Sequence, residues 1–528
     1  MPFLSARKLG AGALTLAAAS LASAAALAQV LTIALPSDPT AMDPHYHNVG
    51  PNNMLSNYVF DRLTDQDETQ KVGPGLATSW QAVDDLTWEV KLRAGVTFHD
   101  GTPFTAEDVK FTVERAPNVP NSPSSFRIYV GPIAAVEIVD PLTVRLKTKT
   151  PTPLLPIYIS TFGIISKKAA EGATTADFNS GKATIGTGPF RFVEWIPGNR
   201  AVYARNDAYW GDKPVWQRVT VRSIPNGSAR VAALLAGDVD LIGEPPTSDI
   251  ARLKKDAKLT VSEFPSNRVI YIHLDSARDQ SPFITDKAGK PLARNPLKDQ
   301  RVRKALSLAV NREAIVARVM EGIAVPAAQL LPDGFQGTSA NLKVVKQDLN
   351  ACKALLAEAG YPNGFRVTLH SPNDRYINDE KIAQAVGQFW TRCGVETKIE
   401  AIPQTVFFPR ATKLEFSALL VGWGAATGET GSPLVSLLAT RTPAKGWGAS
   451  NRGGYSNPAM DAVVEEALKT LDDAKRNALL ARASEIAIND VGLIPLHYEV
   501  STWAMRKGLI YKGRADQYTL AQDISIAR

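Results

Sequence analysis

Leu86 to Arg115 reads LTWEVKLRAGVTFHDGTPFTAEDVKFTVER, a stretch that specifies a strand, a tight turn and a helix start in that order. Trp88, Val90 and Leu92 alternate with Glu89, Lys91 and Arg93, the period of two expected of a half-buried strand. His99-Asp100-Gly101-Thr102-Pro103 supplies turn chemistry, with Gly101 free to take positive φ and Pro103 stiffening the exit. Thr105 is then a suitable N-cap and Asp108, three residues on, completes a capping-box-like pair. Ala106, Val109 and Val113 form the apolar stripe of the helix that follows.

Further along, strands and helices alternate. Val269 to Leu274 reads as a buried strand, and helices are expected from about Asp299 and from an Asn311 cap, the latter stopped by Gly322. Another helix ends at Gly360, Arg366 to His370 reads as a strand, and a helix runs from about Asp379 to Cys393. Lys398 to Ile402 and Ser417 to Val421 read as strands. This order predicts α/β lobes with mostly parallel sheets. At 528 residues, 45% hydrophobic and 21% charged, the chain buries large cores and divides into two or three domains.

Arg7 and Lys8 precede an Ala/Leu-rich run, and Ala26-Leu27-Ala28 offers the small-residue pattern that a signal peptidase reads before Gln29. Residues 1–28 are therefore read as a cleavable secretory signal, too short and alanine-rich for a membrane anchor and followed by no lipobox cysteine. The net charge of +7 falls by the two residues Arg7 and Lys8 to 7 − 2 = +5 after removal. The remaining basic residues are scattered, so no nucleic-acid partner is expected. Cys352 and Cys393 each lie on an apolar helical stripe, where they either pair or stay reduced in the core.

The opening stretch also carries a resemblance. Together with Asp43-Pro44, DRLTDQDETQKVGPGLATSW (Asp61 to Trp80), GTGPFRFVEW (Gly186 to Trp195), LLAGDVDLI (Leu234 to Ile242), RVRKALSLAVNREAI (Arg301 to Ile315), LLAEAGYPNGF (Leu355 to Phe365) and IPLHY (Ile494 to Tyr498), it resembles the extracellular solute-binding proteins of the peptide/nickel/opine class, solute-binding protein family 5. These are the periplasmic capture components of ABC importers. The resemblance implies a type II periplasmic-binding-protein fold with two α/β lobes, a hinge and a small extra domain. It places 29–75, 188–268 and 495–528 in lobe I, 76–187 in the extra domain and 269–494 in lobe II, with crossings near Arg268 and Pro495.

The same resemblance directs attention to ligand contacts between the lobes. Trp423 follows the Ala418 to Val421 strand and precedes GAATGETGSP, a loop that in peptide-binding relatives sets a tryptophan against the ligand and an aspartate against its ammonium. Here Ala426 stands at the aspartate position and Glu429 is the next acid, either a substitute anchor or a loop acid. Arg375, beside Tyr376, is a candidate carboxylate anchor or else a partner of Asp374 or Asp379. Arg127 is a weaker candidate of the same kind, and Tyr46 and His47 follow Asp43-Pro44 on the expected cleft wall.

His45 and His47 alternate as zinc ligands on a strand do, but His99, His273, His370 and His497 fall in no zinc spacing, so no metal and no cofactor are expected. There is no G-x-S-x-G, Walker motif, C-x-x-C or H-E-x-x-H. The resulting expectation is a monomeric receptor, not an enzyme, that captures a peptide, a peptide-like compound or another carboxylate-bearing ligand and delivers it to an inner-membrane ABC permease. The rivals are an exported hydrolase of peptides or amides using His47, a binder of an opine or metal chelate, and a periplasmic chaperone.

Overall fold

The computed structural model describes residues 29–527, so the expected signal segment 1–28 lies outside the described residues. The opening stretch folds as its pattern dictates. Thr87–Leu92 is a strand, Gly101 takes φ +82° and Ala106–Arg115 is a helix. The capping box closes, the Asp108 carboxylate accepting the Thr105 backbone N–H at 2.9 Å. The strand belongs to a four-stranded antiparallel sheet ordered Ala77–Asp84, Thr87–Leu92, Thr143–Thr148, Ile133–Asp140. Val90, Leu92, Val144 and Leu146 share a core with Val109 and Val113 of the helix, while Glu89 pairs with Lys91 and Arg145.

A twelve-stranded mixed sheet carries the rest of the molecule. At its centre lie two long antiparallel strands, Leu259–Leu274 and Ile494–Arg506. In their first part, Leu259 to Pro265 pairs with Arg506 to Val500, and the second strand borders Leu241–Gly243. Beyond that edge come Val30–Leu35, Arg218–Ser223, Arg200–Arg205 and Phe190–Ile196. Register breaks across Ser266, Asn267 and Arg268 and resumes with Val269 opposite Tyr498. From Arg268 onward the first strand pairs with Ala418–Gly424, and Ala324–Pro326 joins the second strand from Glu499 to His497. Both long strands therefore change neighbours at one level, which on the second strand is Glu499, four residues past Pro495.

The expected mostly parallel arrangement does not hold. Val30–Leu35 is parallel to both its neighbours, and Arg366–Pro372 is parallel to Glu396–Ile402 and Ala418–Gly424, as β-α-β units require. The central pair and the edge strands are antiparallel. The chain crosses the sheet outward in one long strand and returns in the other, and runs of opposite direction pair antiparallel.

Successive residues of Leu259–Leu274 feed two cores, as a strand covered on both faces must. Ile270 and Ile272 pack with Ile382, Val386 and Trp390 of the helix Asp379–Cys393. Val269 and Tyr271 face the opposite layer with Leu434, Leu437 and Leu480. The family blocks explain themselves by close packing. A Cβ at Gly186 would lie 1.9 Å from the Val59 carbonyl oxygen and one at Gly188 would lie 2.7 Å from the same atom, so only glycine admits this turn. Buried Asp43 grips Arg115 at 2.7 Å, tying the Asp43-Pro44 segment to the opening helix.

The two cysteines form a disulfide between the helices Leu349–Glu358 and Asp379–Cys393. They are 41 residues apart, so the bond restricts a long loop in the unfolded chain. Replacing both with serine is expected to lower unfolding free energy by roughly 4 kcal/mol, read as a reduced midpoint in urea denaturation. An unchanged midpoint would show that the crosslink carries no stability.

Candidate ligand-binding site

Ala418–Gly424 extends three residues past the expected strand end at Val421, so Trp423 sits within the strand, in register with Val269. Its ring is half-buried against the Val269 and Tyr271 core, and its Nε1 is shielded from solvent without a hydrogen-bond partner. The neighbouring Gly422 is opposite Ile270 and admits the Tyr376 ring, since a Cβ there would lie 2.8 Å from Tyr376 Cε1. The Tyr376 hydroxyl donates to the Gly422 carbonyl at 3.1 Å and fixes the ring to the strand.

Arg375 stacks on that ring with its guanidinium carbon 5.2 Å from the centroid. Neither suggested acid holds it. Asp379 accepts the backbone N–H groups of Arg375 and Tyr376 at 3.0 Å each, and Asp374 accepts that of Gln404 at 2.7 Å. Among the described residues the Arg375 guanidinium has no ion pair and is exposed. The loop thus folds on acids that leave the arginine head free, and the aromatic ring beneath it limits its rotamers.

Glu429 is buried and turned into its own loop. Its carboxylate accepts from the Thr427 hydroxyl and the Ser432 N–H at 3.0 Å each and from the Gly431 N–H, capping the helical turn that follows. Burial raises its carboxyl above the ordinary value, the Ser432 and Gly431 N–H groups opposing that rise. A solvated loop acid and a cleft-facing anchor both fail to describe it, because all these donors lie within residues 427–432.

The remaining candidates lie elsewhere. Arg127 donates to the Pro117 carbonyl at 3.2 Å and to Asn118 Oδ1 at 3.1 Å, bracing its own connection. His47 Nδ1 lies 2.9 Å from the Thr40 hydroxyl, and among the described residues no carboxylate pairs with the ring as the hydrolase rival requires. Tyr46 lines a groove of about 700 Å³ with Phe111, Arg115, Val119 and Thr175, whose walls include neither Trp423 nor Arg375. His45 is buried, receives Arg115 at Nδ1 and bonds the Gly163 carbonyl through Nε2 at 2.9 Å. Burial lowers its pKa to about 4, so the ring is neutral. No group of three or more metal-ligating side chains occurs among the described residues.

Sequence reasoning passed over the residues where the long strands change partners. Arg268 donates to Gln517 Oε1 at 2.9 Å and pairs with Glu499 at 3.3 Å. Asn267 donates to Gln70 Oε1 at 2.8 Å and to the Ala425 carbonyl at 3.0 Å. Gln70 lies inside the Asp61 to Trp80 block without any pattern that marks its contact, and a buried glutamate inside IPLHYEV reads only as an interruption of an apolar run.

Two sheet halves that share a central pair of long strands are the architecture of type II periplasmic binding proteins. The chain belongs to the bacterial extracellular solute-binding proteins, family 5, whose "Middle" model matches residues 71–444. Members of this family are periplasmic solute receptors of ABC importers, not enzymes. The chain is 29% identical over 517 residues to the glutathione-binding protein GsiB of Escherichia coli O1:K1, covering 95% of each. It superposes on HbpA2 of Haemophilus parasuis with a TM-score of 0.81 at 25% identity, covering 94% of this chain and 100% of that one. DppA of Helicobacter pylori, solved with the peptide STSA, gives 0.75 at 26% identity, covering 94% and 98%. No described helix is long and apolar enough to cross a membrane.

Burial raises the Glu499 carboxyl above its ordinary 4.5, with Arg268 opposing the rise. The folded state therefore binds this proton more tightly than the unfolded chain, and the group's contribution to stability falls as pH rises from 4.5 through the raised value. Glu499→Gln is expected to flatten the stability-versus-pH curve in that interval, measured by urea denaturation from acid to neutral pH. A slope equal to that of wild type would mean that Glu499 does not titrate there.

Proposed function

We propose that this receptor captures a small peptide or peptide-like ligand bearing a free carboxylate, with Arg375 as the anion anchor and Trp423 and Tyr376 as the aromatic wall. The observation that carries this reading is the Arg375 guanidinium, held over an aromatic ring and left without an acidic partner. A guanidinium grips a carboxylate through two parallel hydrogen bonds, a geometry that an ammonium cannot offer. The ligands of two relatives, glutathione for GsiB and a tetrapeptide for DppA, are both carboxylate-bearing peptides and support the same class. With Ala426 at the loop position and Glu429 engaged internally, this loop offers no side-chain carboxylate to a ligand ammonium.

The mechanism is hinged capture. The change of partners at Ser266–Arg268 and Glu499 supports a division of the chain into 29–75, 188–268 and 495–528 as one lobe, 76–187 as an extra domain and 269–494 as the second lobe. Bending at that level opens the cleft, and a ligand touching both lobes shifts the equilibrium toward closure by its differential affinity. After removal of residues 1–28 the protein acts in the periplasm as a monomer that presents its closed form to an inner-membrane ABC permease. It hydrolyses nothing itself.

The test is a thermal-shift screen of ligand-stripped protein against glutathione, tri- and tetrapeptides, opines, nickel–histidine and carboxylates lacking an amine. A ligand at 100 times its dissociation constant adds about 2.7 kcal/mol, a rise of roughly 2 to 3 °C for a chain of this size. Arg375→Ala is expected to weaken binding of the anionic hits by roughly 10- to 150-fold, and Trp423→Ala to weaken all hits and also to lower the unliganded melting temperature, because its ring packs on the Val269 and Tyr271 core. Retained affinity in Arg375→Ala, or hits confined to uncharged amides, would contradict the carboxylate reading.

A further inference from the structure

We propose that Gln70 is a built-in latch that holds the two lobes closed without ligand. Its side-chain amide donates to the carbonyls of Ala425 and Ala426, at 3.3 and 3.0 Å, on the loop that follows Trp423. Its amide oxygen accepts from Asn267 Nδ2 at 2.8 Å, and that same nitrogen donates to the Ala425 carbonyl at 3.0 Å. Gln66 Nε2 lies 3.5 Å from the Ala426 carbonyl. Gln70 thus links three bodies: its own hairpin, the exchange point of the long strands, and the loop of the second lobe.

The pieces on both sides are built for this contact. Gln70 takes φ +64°, a conformation a non-glycine residue adopts only when its surroundings enforce it. Here the enforcement comes from Asp67, whose carboxylate accepts the N–H groups of Thr69 and Lys71 at 2.8 and 2.9 Å while its carbonyl accepts that of Gln70 at 3.0 Å. Ala515 braces the turn against the long strand, donating to the Glu68 carbonyl at 2.8 Å and accepting from the Asn267 N–H at 2.9 Å. On the opposing loop, Gly428 takes φ +63°, and a Cβ there would lie 2.9 Å from Gln70 Cβ. The loop therefore wraps a side chain that is 4% exposed.

A second contact of the same kind closes the other side of the exchange point. Asn378, at φ +57°, donates to the Thr247 hydroxyl at 3.2 Å across the two halves of the sheet. Side-chain amides facing backbone carbonyls carry no titrating proton of their own. Because Gln70 already donates to the Ala425 and Ala426 carbonyls, a ligand needs to supply only part of the closing interaction, and its affinity contains a contribution independent of its chemistry.

This inference rests on the two-lobe reading above, and its test uses no ligand. Small-angle X-ray scattering of ligand-stripped wild type is expected to match the curve calculated from the closed arrangement. Gln70→Ala and the near-isosteric Gln70→Glu, whose carboxylate repels the two carbonyls, are expected to show a larger radius of gyration with unchanged circular dichroism. Gln70→Glu keeps the buried volume and decides the matter should the alanine variant fail to fold. Wild type as expanded as both variants, or variants as compact as wild type, would overturn the latch. A hit in the thermal-shift screen would then leave the receptor reading standing, whereas loss of both results would remove the two-lobe account itself.

Discussion

The structure depends on one pairing, that of Leu259–Leu274 with Ile494–Arg506. At one level the first strand gains Ala418–Gly424 as a neighbour and the second exchanges Leu241–Gly243 for Ala324–Pro326. The ladder is interrupted where Ser266, Asn267 and Arg268 face Glu499, and an interrupted ladder is the softest point of an otherwise continuous sheet. Trp423, in register with Val269, lies within a few residues of that interruption, and the loop after it reaches Asn267 and Gln70. A receptor that must bend needs a place where backbone hydrogen bonds are already missing, so that motion breaks few of them.

Several polar groups at this level are held by one another. Arg268 has Glu499 and Gln517, Asn267 has Gln70 and Ala425, and Tyr376 has Gly422. The guanidinium of Arg375 differs from these groups in being exposed and without an ion pair among the described residues, stacked on the Tyr376 ring. The same contrast separates Arg375 from Arg127 and from Glu429, both of which are consumed by their own connections.

Local structure was legible wherever short-range chemistry decided it. The Thr105–Asp108 cap, the Gly101 turn, the Asp379–Cys393 helix and the Asn311 cap are set by residues within one turn of each other. Strand direction in the sheet was not legible, because alternation of helix and strand says nothing about a strand that crosses between lobes. Trp423 and Arg375 were reachable through their motifs, whereas Gln70 lies in the quoted Asp61 to Trp80 block with nothing there to mark its contact. Its role comes from a left-handed backbone and from partners 355 and 356 residues away, and neither is written in the neighbouring sequence. Tyr46 follows the Asp43-Pro44 motif and lines a groove whose walls include neither Trp423 nor Arg375, a separation that no local pattern spells out. Glu429 reads as an accessible acid in sequence because nothing there shows that the following turn presents its N–H groups inward.

The most direct test of the account is a crystal structure of the protein purified without refolding, so that any ligand carried from the cell remains. The account predicts electron density for a small molecule between the lobes, with a carboxylate on Arg375 and an apolar face on Trp423. Density instead in the groove lined by Tyr46 and Phe111, or a bound molecule that leaves Arg375 in solvent, would contradict it.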